Sequence, residues 1–350
     1  MGKIRVMIVD DSMLFREFLR RSLSAEYFIE VVGAFGDPLE AMQNIQRLQP
    51  DVLAVDMEMP KMRGNEFLRN VLPKHPRVKA VVISSLSSNV FDAMSAGAID
   101  FVGKPNSRAG YDEEQFIRDI VRIIKIAAST SVRAHPHEDI KRPPTLAEIA
   151  AGKTNLLNAS SNSLIAIGAS TGGTEAILAV LKDFPAKTPG VVIVQHMPPG
   201  FTQMYAERVD RLCLMNAREA KNGDRVEQGK VLIAPGGDQH MRVRQDSAGY
   251  WVSLAAGPKV SGHCPSVDVL FESVATTAKA NAVGVLLTGM GADGAKNLCM
   301  MRQAGAHTIG QDEESCVVYG MPKVAYDLGG VAQQLPLSAI GQAVMRRFSK

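Results

Sequence analysis

Three short runs carry side chains and spacings suited to acyl transfer. The first is Gly168-Ala169-Ser170-Thr171-Gly172-Gly173. It fits G-x-S-x-G, the pattern of a tight strand-to-helix turn that exposes a serine hydroxyl. Amides at such a helix start also stabilise negative charge. The second run is Gln195-His196-Met197-Pro198-Pro199-Gly200, whose imidazole has the ordinary pKa of about 6.5 that suits a general base. The third is Thr288-Gly289-Met290-Gly291-Ala292-Asp293-Gly294. Asp293 can orient a histidine and stabilise its charged form. The glycines allow close backbone approach, which makes the Met290 amide a candidate oxyanion donor.

These residues leave rivals open. His240, in Ala234-Pro235-Gly236-Gly237-Asp238-Gln239-His240, also follows an apolar run, and His263 with Asp268 is a third base-and-acid pair. The sequence favours His196. Cys264 as a thiol nucleophile lacks the strand-to-helix turn. A lone Gly-Ser-Gly loop equally suits a phosphate-binding turn, but GASTGG has neither P-loop spacing nor G-x-G-x-x-G. The order Ser…His…Asp differs from the Ser…Asp…His of α/β-hydrolases, which points to a separate hydrolase family.

A second set of residues suits phosphoryl chemistry. Asp10 and Asp11 follow the first apolar run, Asp56 and Ser84 close the third and fourth, and Lys104 follows the fifth. In an open parallel sheet, ligands bind beyond the carboxyl ends of the strands, so all five fall on one edge. Three carboxylates together favour a hard divalent cation, Mg²⁺ foremost. A lysine beside them pairs with a phosphoryl group as a point charge, and the Ser84 hydroxyl can contact a phosphoryl oxygen.

The elements needed to hold these residues are legible as alternating strands and helices. In the first 126 residues, strands are expected at Ile4–Val9, Ile29–Ala34, Val52–Asp56, Ala80–Ser84 and Asp100–Val102. Amphipathic helices are expected at Met13–Leu23 and Pro38–Leu48, the second entered through an Asp37-Pro38 cap. Residues 127–163 are polar and contain Pro and Ser, which reads as a linker with a short helix near Thr145–Ala151. Residues 164–350 resume the pattern, with strands at Leu164–Gly168, Val191–Gln195, Lys230–Ala234 and Val283–Thr288. A hairpin is expected within Met241–Leu254 and a terminal helix over Ser338–Phe348. The expectation is therefore an α/β chain of two doubly wound parallel-sheet domains, the first flavodoxin-like and the second Rossmann-like.

Composition narrows the function classes. The 350 residues are 46% hydrophobic and 21% charged, with a net charge of +3, which is ordinary for a globular chain. Basic residues are scattered, and no helix-turn-helix pattern appears, which speaks against nucleic acid as a partner. No apolar run reaches the roughly 18 to 20 residues of a membrane span, and no signal-peptide core precedes Asp10. The four cysteines are far apart without a CxxC pair, which fits a reducing cytoplasm better than a disulfide framework or a zinc site.

Residues 1–126 resemble response-regulator receiver domains over their full length. The set GASTGG, QHMPPGFT, APGGDQHM, HCPSVDVLF and LLTGMGADGA behind such a domain resembles the chemotaxis protein-glutamate methylesterases of the CheB family. For the first domain the resemblance implies Asp56 as acceptor of a phosphoryl group from a histidine kinase. It also implies Mg²⁺ on Asp10, Asp11 and Asp56, Ser84 and Phe101 as switch residues, Lys104 on the phosphate, and a cis peptide before Pro105. For the second domain it implies a Ser170–His196–Asp293 triad with Met290 in the oxyanion region and no cofactor. The implied activity is hydrolysis of glutamate γ-methyl esters on methyl-accepting chemotaxis receptors, with deamidation of receptor glutamines. Control is expected through a receiver that covers the triad edge until Asp56 is phosphorylated. Cys264 departs from the family, which usually has a basic residue there. The rival from another class is a non-enzymatic response regulator whose second domain binds nucleotide or DNA.

Overall fold

The structure, a computed structural model, describes residues 2–85, 90–106, 112–130 and 162–348. The chain divides into two compact units, Met1–Asp139 and Ile140–Lys350.

The first unit contains β1 (Ile4–Val9), α1 (Met13–Ser24), β2 (Ile29–Phe35), α2 (Pro38–Leu48), β3 (Val52–Asp56) and α3 (Gly64–Val71). These are followed by β4 (Lys79–Ser84), α4 (Val90–Ser95), β5 (Asp100–Gly103) and α5 (Glu113–Ser129). Its sheet is parallel, in the order β2-β1-β3-β4-β5. The central strand β3 is buried along its whole length, as a strand covered by helices on both faces must be. The strand order reverses between β1 and β3, so the switch-point crevice opens between Asp10 and Asp56. Helix starts follow side-chain capping: Ser12, Asp37 and Asp112 each accept from an amide of the first turn of α1, α2 and α5. Helix α5 continues to Ser129, past the linker start read from the sequence at 127. Its apolar face (Phe116, Ile120, Ile123, Ile124, Ala127) stays buried through Ala127, and that burial prolongs the helix. The short helix read near Thr145–Ala151 lies outside the described residues.

The second unit runs β6 (Leu164–Ala169), α6 (Gly173–Lys182), β7 (Gly190–Gln195), α7 (Phe201–Leu212), β8 (Asn216–Glu219) and β9 (Lys230–Ile233). The hairpin β10 (Gln239–Asp246) and β11 (Gly249–Ala256) leads to α8 (Val267–Thr277), β12 (Ala282–Leu286) and α9 (Ala295–Gln303). The unit ends with β13 (His307–Gln311), α10 (Met321–Asp327), β14 (Gln333–Leu335) and α11 (Leu337–Phe348). Seven parallel strands lie in the order β14-β13-β12-β6-β7-β9-β8. Strand β6 is central, fully buried, and flanked by β7 on one side and β12 on the other. The switch point therefore falls at the end of β6. Helix α8 lies close over this region: a Cβ on Gly168 would stand 2.2 Å from Val267 Cγ1. Only glycine lets that helix start approach the strand so closely.

Candidate active site

Strand register brings Ser170 and His196 together. Ala169 pairs with Gln195 across β6 and β7, so the next residue of each strand leaves the sheet at the same level. The His196 amide also donates to Ala169 O at 3.3 Å. Ser170 is 6% exposed. Its amide donates to Thr288 O at 3.0 Å, and its carbonyl accepts from Gly173 N and Gln195 Nε2 at 2.7 and 2.9 Å. The loop after β12 is equally tight. A Cβ on Gly289 would stand 2.8 Å from Ser170 Cβ. Thr288 N donates to the buried Gln311 Oε1, and Thr288 Oγ1 donates to Thr171 O.

Asp293 is 1% exposed and fully engaged. Its Oδ2 lies 2.8 Å from His196 Nε2 and accepts from Val267 N at 2.8 Å. Its Oδ1 accepts from the Ser266 hydroxyl at 2.7 Å and Asp268 N at 2.9 Å. Val267 and Asp268 open α8, so the carboxylate also sits at the positive end of that helix. Burial pushes its pKa upward. The bond and charge of His196, with the Asp268 amide and the Ser266 hydroxyl, outweigh that and hold it below the usual carboxylate value. Because Nε2 is on Asp293, the ring's other nitrogen, Nδ1, is left for a reacting proton. It is buried and has no hydrogen-bond partner among the described residues. Met290 is 46% exposed. Gly289 N donates to Val318 O while Gly289 O accepts from Gly320 and Met321. No backbone acceptor engages the Met290 amide among the described residues.

The rival residues are placed otherwise. His240 is buried, with Nδ1 accepting from Ser266 N at 3.2 Å and Nε2 on Pro258 O at 2.9 Å. Both nitrogens are committed to a neutral tautomer that fixes the approach to Ser266. Asp268 accepts from Ser261 Oγ and Asn297 N, and the His263 ring stacks on His196. Burial raises the Cys264 thiol pKa, which opposes formation of a thiolate nucleophile. Replacing His240 by alanine is expected to cost about 2 kcal/mol of stability by stripping a buried amide of its acceptor. Turnover should fall only about tenfold, far less than for His196→Ala. Thermal melts and initial rates on the two variants check this ranking. The sequence reading missed Ser266 and the α8 amides as the seat of Asp293. Ser-x-Asp before an apolar run was the available cap signal.

In the first unit, Asp10 and Asp56 are buried, Asp11 is exposed, and oxygens of the three lie within 4.8 Å of one another. Lys104 Nζ is 2.9 Å from Asp56 Oδ2 and 3.2 Å from Asp10 Oδ2, and it lies 4.8 Å over the Phe15 ring. Burial raises the pKa of both aspartates despite the lysine. Burial works against the lysine too, but Asp56 and Asp10 hold its pKa above the usual value. Three carboxylates thus face one ammonium, and Asp56 Oδ1 is buried without a hydrogen-bond partner. An excess of negative charge with an orphaned carboxylate oxygen fits a divalent cation with oxygen ligands. Ser84 is buried and donates to Ser85 O at 2.7 Å. Phe101 is buried edge-on to Phe91. The Lys104–Pro105 peptide, expected to be cis, is trans, and the one cis peptide among the described residues is Cys264–Pro265. Trans is the lower-energy form of an X–Pro bond, by about 0.5–1 kcal/mol.

The raised carboxylate pKa values carry a stability consequence. The folded chain holds these protons more tightly than the unfolded chain does. The pair's contribution is therefore full below the ordinary carboxylate pKa and is lost as pH rises through the folded values. Asp10→Asn is thus expected to raise the melting temperature at pH 7 in a chelator. Mg²⁺ should stabilise the parent chain, by about 2.7 kcal/mol at a hundredfold excess over Kd, and so raise its melting temperature more than that of the variant. Calorimetry with and without the ion measures both.

Comparisons with known proteins accord with this architecture. The family model described as CheB methylesterase matches residues 165–344, and that of the response regulator receiver domain matches residues 6–113. A Syntrophomonas wolfei protein named protein-glutamate methylesterase/protein-glutamine glutaminase 2 is 52% identical over 348 residues, covering 99% of this chain and 98% of that one. A Syntrophotalea carbinolica protein named protein-glutamate methylesterase/protein-glutamine glutaminase is 46% identical over 352 residues, with 99% and 98% covered. The crystal structure of the Thermotoga maritima CheB methylesterase catalytic domain is similar at a TM-score of 0.52 and 34% identity. It spans 54% of this chain and 100% of that domain.

Proposed function

The chain belongs to the CheB methylesterase family and carries a receiver domain, and from that premise we propose a phosphorylation-controlled serine hydrolase acting on chemoreceptors. Its activities are those of a protein-glutamate methylesterase and protein-glutamine glutaminase. The observation that carries the mechanism is the 2.8 Å bond from His196 Nε2 to Asp293, which leaves Nδ1 without a hydrogen-bond partner among the described residues, on a strand end in register with that of Ser170.

In this reading Ser170 Oγ attacks the γ-ester carbonyl of a methylated glutamate and passes its proton to His196 Nδ1. Asp293 holds the tautomer and stabilises the imidazolium. The Met290 amide and the α6 start receive the oxyanion. Methanol leaves with the proton from His196, and water repeats the sequence on the glutamyl-enzyme. A glutamine side chain enters the same cycle and releases ammonia.

Asp56 is the phosphoryl acceptor, with a histidine kinase as donor. Asp10, Asp11 and Asp56 would hold Mg²⁺, which when bound offsets the charge of the incoming phosphoryl group. Lys104 pairs with the transferred group. Ser84 and Phe101 reposition around it, a local charge change that biases a two-state interface. The polar stretch of sequence between α5 and β6 acts as the tether, giving the receiver a high effective concentration at the catalytic domain. The site of action is the cytoplasm. No described helix is long and apolar enough to cross a membrane.

The test is methanol release from methylated receptor. A phosphodonor should accelerate the full chain, and residues 164–350 alone should exceed the unphosphorylated full chain by about tenfold or more, as expected when a few kcal/mol of docking is removed. A catalytic fragment slower than the unphosphorylated chain would replace occlusion by a positive role for the receiver.

A further inference from the structure

We infer that His263 is a positioning residue for the base: its ring covers one face of the His196 imidazole and keeps that ring aligned for Ser170. The inference rests on the assignment of His196 as the base. The two ring centroids are 3.7 Å apart, with planes 8° from parallel. Neutral aromatic pairs favour offset or edge-on contacts with centroids about 4.5–7 Å apart. The phenylalanine pairs of this chain follow that preference, as at Phe15–Phe18 (5.8 Å, 37°) and Phe91–Phe101 (6.0 Å, 78°). The histidine stack is closer and flatter, so the backbone must impose it.

The segment that imposes it is short and well tied. Val260 and His263 exchange both backbone bonds, at 3.0 and 2.9 Å. Between them Ser261 and Gly262 both have positive φ, 52° and 85°, as a two-residue primed turn requires. The Ser261 hydroxyl anchors the turn to Asp268 Oδ2 at 2.8 Å. Three residues beyond His263, Ser266 and the α8 amides take hold of Asp293. One segment therefore fixes both the carboxylate on Nε2 and the ring on the imidazole face.

Two effects follow from this arrangement. A single bond at Nε2 leaves an imidazole free to tilt about its side-chain torsions, and a stacked ring removes that freedom. Misplacement of a reacting group by about 1 Å can cost about 100-fold in rate. The stack also gains attraction when His196 becomes a cation over a π-face. That gain exists only in the charged state and so favours the transition state over the ground state.

The experiment uses the full chain and methanol release. His263→Ala is expected to lower kcat about 10- to 50-fold with KM within about twofold. His263→Phe, which restores a ring without its nitrogens, should recover kcat to within about fivefold of the parent. In spectra of ¹⁵N-labelled imidazoles, His196 should be a single Nε2–H tautomer in the parent and the Phe variant, and a mixture in the Ala variant. If His263→Ala unfolds, His263→Gln, which also lacks a ring, carries the same comparison. Unchanged kcat and tautomer without the ring would overturn the inference, as would failure of Phe to restore a kcat lost in Ala. Turnover retained by His196→Ala would instead overturn the base assignment.

Discussion

Replacing Ser170 with alanine is expected to lower methanol release by about 10⁴- to 10⁶-fold, the scale seen when the nucleophile of a serine hydrolase triad is removed. The argument is geometric. Ser170 follows the central strand β6, its amide bonded to Thr288 O and its carbonyl to Gly173 N and Gln195 Nε2. None of these bonds uses the hydroxyl, so alanine keeps them, and the melting temperature should stay within a few degrees. What disappears is the only atom in the proposed cycle that can form the acyl bond. The oxyanion donors remain, so a residual acceleration of about 10³-fold over uncatalysed hydrolysis is expected. Near-normal turnover in a folded variant would place the nucleophile elsewhere.

Asp56→Asn should reduce phosphoryl incorporation from a phosphorylated kinase to background, a loss of more than about 100-fold, because the amide lacks a nucleophilic carboxylate. The fold should persist, since Lys104 retains Asp10 as a partner. The variant's methanol release should be the same with and without a phosphodonor, at the rate of the unphosphorylated parent. Undiminished labelling would move the acceptor to another carboxylate. Labelling lost while the phosphodonor still stimulates hydrolysis would separate control from Asp56.

Both experiments address residues that could be found from the sequence, for a common physical reason. Ser170, His196, Asp10 and Lys104 each come directly after a buried strand and Asp56 closes one, so strand order alone brings them to a sheet edge. Apolar runs marked those strands, and β1 and β3 match their expected bounds. The strands that escaped notice lack such runs. Strand β8 (NARE) is a polar edge strand and β14 (QQL) a three-residue one. Strand β13 (HTIGQ) buries a glutamine that serves the Thr288 loop. His240, His263 and Ser266 were the hardest to read. Their positions depend on a hairpin, a positive-φ turn and a helix cap acting in series, and no short pattern encodes that sum. His240 and His263 therefore looked like competing bases, although one fixes Ser266 and the other lies on His196. The cis bond expected before Pro105 failed for a different reason, since a residue pair does not determine its own isomer.

The strand order of the second unit also bears on synthesis. Strand β6 is made first but lies in the middle, and its neighbour β12 arrives more than a hundred residues later. Asp293 and the Gln311 that steadies Thr288 come later still. Closing so large a loop is entropically slow. On the ribosome, Ser170 and His196 emerge and can pair while no carboxylate yet exists to orient the histidine. The nascent chain should therefore stay without esterase activity until nearly all of it has been translated, and a message truncated before residue 293 should yield a polypeptide unable to strip methyl groups from any target.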